Sequence, residues 1–169
     1  IGSMNEIGDP SAAVKMKVRG LVIDPTSNSP VVILENIEGD AFLPIWIGVC
    51  EANSIAMKLE EVETPRPMTH DLIRSLVETA GCRIEHIFIH SLDDSVFIAS
   101  IQLRDADAAA HQVDSRPSDA IAIALRAEVD VYVDPSVLER AVMSEASTED
   151  TLRAILERMR PEDMGDYEM

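Results

Sequence analysis

The chain has 169 residues and is 46% hydrophobic, a composition that suits one folded domain with a buried core. Fourteen basic against 31 acidic residues give a net charge of −17, which excludes non-specific coating of DNA or of membrane surfaces. No apolar run approaches the ~20 residues that span a bilayer, and no signal peptide is visible. We therefore expect a cytoplasmic protein that makes no membrane contact.

The first half of the chain predicts three strands followed by two helices. The strands are predicted from period-two and β-rich patterns over residues 14–23, 31–35 and 41–47. Pro44 gives the third strand an edge position or a bulge. Helical periodicity begins at Cys50, and a second helix is expected with Thr69 as its N-terminal cap. The predicted apolar face of that second helix consists of Leu72, Ile73, Leu76 and Val77.

The second half predicts the same order of elements. The expected strands cover residues 83–90, 95–103 and 108–113, a helix covers 117–126, and a strand at 129–133 and a helix at 135–143 follow. An offset of 66 residues aligns 48–59 with 114–125, with matching Ile, Ala and Leu positions. We predict an α+β fold with a mixed sheet and a duplicated β-β-β-α unit. The alternative is chance similarity between two amphipathic helices.

The predicted domain organisation has three parts. Residues 1–13 are interpreted as a tag remnant and a polar lead, because the first three residues before Met4 resemble an expression scar. Residues 14–143 form the single compact domain. Residues 144–169 are interpreted as an acidic C-terminal helix and tail.

Unusual polar residues fall at three places where a strand or loop enters a predicted helix. These places are residues 48–52, 65–72 and 114–120. Free backbone N–H groups and the helix dipole favour anions at such positions. The sequence therefore predicts an anion site built from helix starts.

Arg66 and Arg116 each precede a proline, which biases the backbone to an extended form and projects each guanidinium at a helix start. A planar guanidinium there suits a phosphate. We predict a phosphate-binding set of Arg66 and Arg116 with the hydroxyls of Thr69 and Ser118. The alternative is that the arginines are structural ties to neighbouring carboxylates or carbonyls.

Carboxylates at the same places predict metal or acid–base chemistry. Glu51, Asp71, Asp114 and Asp119, if they meet, supply the hard oxygen ligands that Mg²⁺ or Mn²⁺ requires, with Asp114 and Asp119 as the expected metal ligands. His70 is a candidate general base or acid, or a metal ligand. The alternative for each carboxylate is stabilisation of a first helical turn, worth ~0.3–1 kcal/mol without any ligand.

Three blocks resemble the signature blocks of the bifunctional nuclease (BFN) family. The blocks are PIWIG at 44–48 followed by Glu-Ala at 51–52, PRPMTHDL at 65–72 and DSRPSDAIA at 114–122. The resemblance extends over about residues 16–141, in order and with similar spacing. It implies a mixed α+β fold, hydrolysis of both DNA and RNA, and a homodimer.

Two functions follow as hypotheses. The first is a metal-assisted nuclease in which Glu51, Asp71, His70 and Asp119 are catalytic and the arginines hold phosphates. The second is a non-catalytic anion-binding or regulatory dimeric module, favoured by the net charge of −17 and by an aromatic content of only 4%. An edge strand and apolar residues at Phe42, Ile45 and Trp46 also favour a dimer.

Overall fold

The computed structural model describes residues 10–144 together with Arg153 and Glu157. Residues 1–9 of the predicted lead, and the predicted C-terminal helix and tail apart from 144, 153 and 157, lie outside the described part. After a short 3₁₀ turn at Pro10–Ala12, the strands are β1 (Val14–Ile23), β2 (Pro30–Asn36), β3 (Phe42–Trp46), β4 (Arg83–Asp93), β5 (Val96–Arg104), β6 (Ala110–Ser115) and β7 (Asp130–Val133). The helices are α1 (Val49–Leu59), α2 (Thr69–Thr79), α3 (Pro117–Ala127) and α4 (Pro135–Ser144).

The strands form one mixed seven-stranded sheet in the order β3-β2-β1-β7-β4-β5-β6. Strands β1 to β3 and strands β4 to β6 are two antiparallel meanders. Strand β7 lies between them, antiparallel to β1 and parallel to β4. The α+β fold with a mixed sheet is confirmed. A β-β-β-α order occurs twice, but the duplication itself stays a prediction.

The main core lies between the sheet and the helices. Alternate residues of β2 point to opposite faces, so Val32 and Leu34 join the main core whereas Val31 and Ile33 form a small second cluster. Helix α3 is the most buried helix: Ile121 is fully buried, and most of its neighbours are too. No helix in the described part of the chain is both long and apolar enough to cross a membrane.

Strand β3 lies at one edge of the sheet, as Pro44 predicted. Its apolar residues are less available than the sequence suggested. Ile45 is buried in the main core, and Trp46 is only partly exposed, with its indole Nε1 donating to Asp24 Oδ2 at 3.0 Å. The dimer surface inferred from this strand is therefore smaller than expected.

Helix α2 departs from its prediction at both its start and its outer face. Its N-terminal cap is Met68, not Thr69. The backbone of Met68 is extended, and its N–H donates to the carboxylate of Asp71 at 2.9 Å. Leu72 and Leu76 are 50% and 59% exposed, so only the Ile73 and Val77 side of the predicted apolar face packs on the core. Helical periodicity showed which residues share a side, but not how much of that side is covered.

Candidate active site

The starts of α1, α2 and α3 meet through one series of polar side chains. His70, the second residue of α2, is buried, and its Nε2 lies 2.9 Å from Oδ1 of Asp119 in the first turn of α3. Its Nδ1 lies 2.8 Å from the hydroxyl of Ser54 in the middle of α1. One imidazole therefore joins all three helices.

Asp119 uses both carboxylate oxygens. While Oδ1 faces His70, Oδ2 accepts hydrogen bonds from Nε and Nη2 of Arg116 at 2.8 and 2.7 Å. Arg116 is the residue before Pro117 at the start of α3, and its extended backbone conformation projects the guanidinium across the helix start. The extended backbone agrees with the position of Arg116 before a proline, and the binding of a phosphate by Arg116 stays a prediction.

Glu51 completes the cluster from α1. Its Oε1 accepts a hydrogen bond from Arg116 Nη2 at 2.8 Å, although 65 residues separate the two in the chain. The carboxylate folds back over Gly48, where a Cβ would clash with Glu51 Oε2. Glycine at position 48 therefore leaves the space in which Glu51 reaches Arg116.

A second ion pair, between Arg126 and Asp71, also contacts Ser54. The guanidinium of Arg126 is 5% exposed and donates from Nε to Asp71 Oδ1 at 2.6 Å. It also donates to the carbonyl oxygens of Ala122 and Ser54, at 2.9 and 3.0 Å. A buried guanidinium with three acceptors is satisfied, which is what burial of a charge requires.

The charges of the cluster stabilise one another. Burial alone would raise the pKa of Asp119, but hydrogen bonds from His70 and Arg116 outweigh it and lower that pKa below the usual value. Hydrogen bonds to Asp119 and Glu51 raise the pKa of Arg116. For Asp71, burial is likewise outweighed by the Met68 N–H and by Arg126, so its pKa is also lowered.

The structure brings together Glu51, His70, Arg116 and Asp119 from the predicted set, with Asp71 one ion pair away through Arg126. Other members lie outside this series of contacts. Arg66 is exposed, and its guanidinium makes no hydrogen bond or ion pair within residues 10–144. Asp114 is exposed on β6 and acts electrostatically on His90. Thr69 is exposed at the start of α2, and Ser118 is buried in α3.

The carboxylates do not fit a divalent metal as they stand. Both oxygens of Asp119 face cationic or N–H donors, both oxygens of Asp71 do the same, and Glu51 is held by Arg116. No group of three or more His, Cys, Asp or Glu side chains suited to a metal occurs in the described residues.

Ser54 and Arg126 were not among the predicted site residues. In the sequence, Ser54 is an ordinary polar residue of an amphipathic helix. Arg126 is a basic residue in the last turn of a helix, where the helix dipole favours a positive charge. A local signal did exist for Ser54, because it lies three residues after Glu51 and so on the same side of α1. Arg126 meets Asp71 across 55 residues, and no local pattern indicates such a pairing.

Comparisons with known proteins place the chain in a family. The profile of the bifunctional nuclease domain matches residues 32–146. Two proteins from Mycobacterium tuberculosis are each 39% identical over 145 residues, which cover 85% of this chain and 86% of theirs. They are the uncharacterized protein MT1877 of strain CDC 1551 / Oshkosh and the uncharacterized protein Rv1829 of strain ATCC 25618 / H37Rv. The matched residues contain all three helix starts, and the chain belongs to the bifunctional nuclease domain family.

Proposed function

We propose that the chain hydrolyses phosphodiester bonds of DNA and RNA at the cluster of Ser54, His70, Arg116 and Asp119. The observation that supports this most directly is the hydrogen-bonded series from the Ser54 hydroxyl through His70 to Asp119. A hydroxyl, an imidazole and a carboxylate in series can activate a nucleophile. Membership in a family named for nuclease activity supports the choice of substrate.

The partners of His70 indicate which ring nitrogen carries the proton. Asp119 accepts but does not donate, so Nε2 carries a hydrogen toward it, and in the neutral ring Nδ1 is then free to accept from the Ser54 hydroxyl. His70 is therefore oriented to take the Ser54 proton. The carboxylate of Asp119 stabilises the imidazolium that results.

The proposed reaction has two steps. Ser54 Oγ attacks phosphorus while its proton moves to Nδ1 of His70, and the bond from phosphorus to the leaving nucleotide oxygen breaks as that oxygen takes the proton. Water then attacks the phosphorus of the phosphoserine and gives a proton to His70. The bond from phosphorus to Ser54 Oγ breaks, Oγ takes that proton, and the strand that ends in a phosphate is released. Water is the one co-reactant that the two proposed steps use.

Arg116 is the proposed clamp for the phosphate charge. Its Nε and Nη2 are held by Asp119 and Glu51, which leaves Nη1 without a bond to any described residue. Ser54 lies three residues after Glu51 and so on the same side of α1, which supports a phosphate that reaches both the hydroxyl and this guanidinium. Arg66 is exposed and has no ion-pair partner among residues 10–144; in the segment before α2 it can supply a second positive charge to the nucleic acid.

The test is cleavage of fluorophore-quenched DNA and RNA by the purified chain, with EDTA, Mg²⁺ and Mn²⁺ in separate arms. Ser54→Ala, His70→Gln and Asp119→Asn should each lower the rate by roughly 10²–10⁴-fold. His111→Gln is the control, because His111 is bonded to Asp105 outside the cluster. Activity that appears only with a divalent metal would overturn the mechanism and restore the predicted metal.

A non-catalytic anion-binding or regulatory module is the second candidate. It is favoured because the cluster is internally satisfied: Arg116 already bonds Glu51 and Asp119, and His70 is buried. If the three variants remain folded and cleave at the wild-type rate, the activity comes from a contaminant and this second function is the better account.

We also propose that the chain acts as a homodimer that contacts nucleic acid only locally. Strand β6 supports this, because it is an edge strand of the sheet and its residues 110–114 are all exposed. An exposed edge offers unpaired backbone groups to a second strand. Since β6 leads directly into Arg116, such a dimer would place the partner beside the active site.

A further inference from the structure

A small cavity lies beside the active-site cluster, where α1 and α3 end against α2. Its volume is about 180 Å³. It is lined by Lys58, Asp71, Arg74, Ser75, Glu78 and Arg126. Typical small-molecule pockets measure ~300–1,000 Å³, so this cavity has room for a single small group and not for a whole nucleotide.

The lining is positively charged in a chain of net charge −17. Both carboxylates are already neutralised, Asp71 by Arg126 at 2.6 Å and Glu78 by Arg74 at 2.8 Å. The lining has five charged side chains. The one that remains after these two pairs is Lys58, which makes no ion pair with any residue in the described part of the chain. One positive charge is therefore left over for a ligand.

Free hydrogen-bond donors line the same cavity. Arg74 donates from Nε to Glu78 and from Nη1 to the carbonyl of Arg126, which leaves Nη2 without an acceptor among residues 10–144. The Lys58 ammonium also has no hydrogen-bond acceptor among these residues. Ser75 adds no donor, because its hydroxyl bonds the carbonyl of Asp71 at 3.0 Å.

We infer that this cavity is a binding site for a phosphate group, held by the Lys58 ammonium and by Nη2 of Arg74. Its volume suits a group of the size of one phosphate, and one net positive charge with two free donors matches a phosphate oxyanion. The site is separate from the cluster around His70. Its occupation does not depend on whether the chain hydrolyses phosphodiesters.

The cavity is linked to the active site through a single buried side chain. Arg126 lines the cavity, bonds Asp71 in it, and donates to the carbonyl of Ser54. The Arg126 guanidinium therefore contacts both the cavity and Ser54, the residue whose hydroxyl faces His70. Two sources share this chemistry: inorganic phosphate, and the terminal phosphate of a nucleic-acid strand.

The test is titration of the full chain with inorganic phosphate at constant ionic strength, followed by calorimetry and by ¹⁵N NMR. We expect saturable binding with shifts at Lys58, Arg74 and Ser75. Lys58→Met should weaken binding by about tenfold or more, the loss expected for a charge-assisted hydrogen bond. Lys17→Met is the matched control, since Lys17 pairs with Glu35 on the sheet.

A second titration uses a dinucleotide with and without a 5′-phosphate. Tighter binding of the phosphorylated form than of inorganic phosphate, lost in Lys58→Met, assigns the site to a strand terminus, and equal or weaker binding assigns it to free phosphate. Absence of saturable binding of either ligand, or equal effects of Lys58→Met and Lys17→Met, would overturn the inference. Because binding is read without turnover, this result is independent of the nuclease assay.

Discussion

Arg126 Nη2 donates to the carbonyl oxygen of Ser54 at 3.0 Å, so the last turn of α3 is bonded to the middle of α1 at the residue whose hydroxyl faces His70. The same guanidinium is 5% exposed and holds Asp71 from α2. One buried charge thus joins the three helices through contacts that do not involve Asp119. The relative positions of Ser54 and His70 depend on it.

Replacement of Arg126 should therefore destabilise the fold. Arg126→Met leaves Asp71 without its cation and removes a side-chain hydrogen bond from two carbonyls, so we expect the free energy of unfolding to fall by roughly 3 kcal/mol. Urea denaturation followed by circular dichroism measures this. Arg83→Met is the control, because its exposed pair with Glu85 contributes little. A loss below ~1 kcal/mol would show that Arg126 is not a structural tie.

Arg66 and Arg116 should separate binding from stability. Arg66 is exposed and unpaired within the described residues, so Arg66→Ala should change stability by less than ~0.5 kcal/mol. If it contacts phosphate, cleavage should fall by roughly one to two orders of magnitude. Arg116→Ala should lower cleavage at least as much and also lower the melting temperature. Unchanged cleavage in a well-folded double variant would end the clamp hypothesis.

The turn between β1 and β2 should control stability in acid. Hydrogen bonds from Ser27, Trp46 and Thr26 lower the pKa of Asp24 from 3.8 to about 2. Because the folded pKa lies below the unfolded one, the stabilisation is complete above about pH 4 and is lost as the pH falls through about 2. Denaturation curves for wild type, Ser27→Ala and Asp24→Asn at several pH values should converge in this window. A constant gap between wild type and Asp24→Asn down to pH 2 would contradict the assignment.

The proposed dimer is testable by mass. Light scattering at micromolar concentration should give about twice the 18.5 kDa of one chain. Val113→Lys adds a charge to the exposed edge strand β6 and should shift the mass toward one chain. Val96→Lys is the control, because Val96 is also an exposed valine and lies at the start of β5, away from the edge strand. A monomeric wild type would contradict the dimer, and an unaffected Val113→Lys dimer would exclude β6 as its interface.

Local patterns predicted much of the fold because most elements carry their own signals. Helix α3 begins where the sequence places Pro117 in a first turn, and β3 lies at the edge that Pro44 demands. The exposure of Leu72 and Leu76 could not be predicted in the same way. It depends on what other elements cover, which no pattern within α2 records.

The sequence predicted the site residues at the helix starts, but it did not predict which side chains they contact. His70 and Asp119 lie in conspicuous polar blocks, so the sequence indicated them directly. Their bond spans 49 residues, and the polar partner on the far side of the ring is a plain serine inside a helix. A contact between side chains of two different helices leaves no periodic signal in the sequence of either helix.

The central position of β7 has a consequence for how the chain is made. The two meanders reach each other in the sheet only through residues 130–133, which pair with β1 on one side and with β4 on the other. During synthesis from the N-terminus, each meander can assemble as it emerges, but the sheet stays in two halves until this short segment has left the ribosome. A nascent chain that stalls just before Asp130 would therefore expose the inner edges of β1 and β4 to unwanted pairing with other strands.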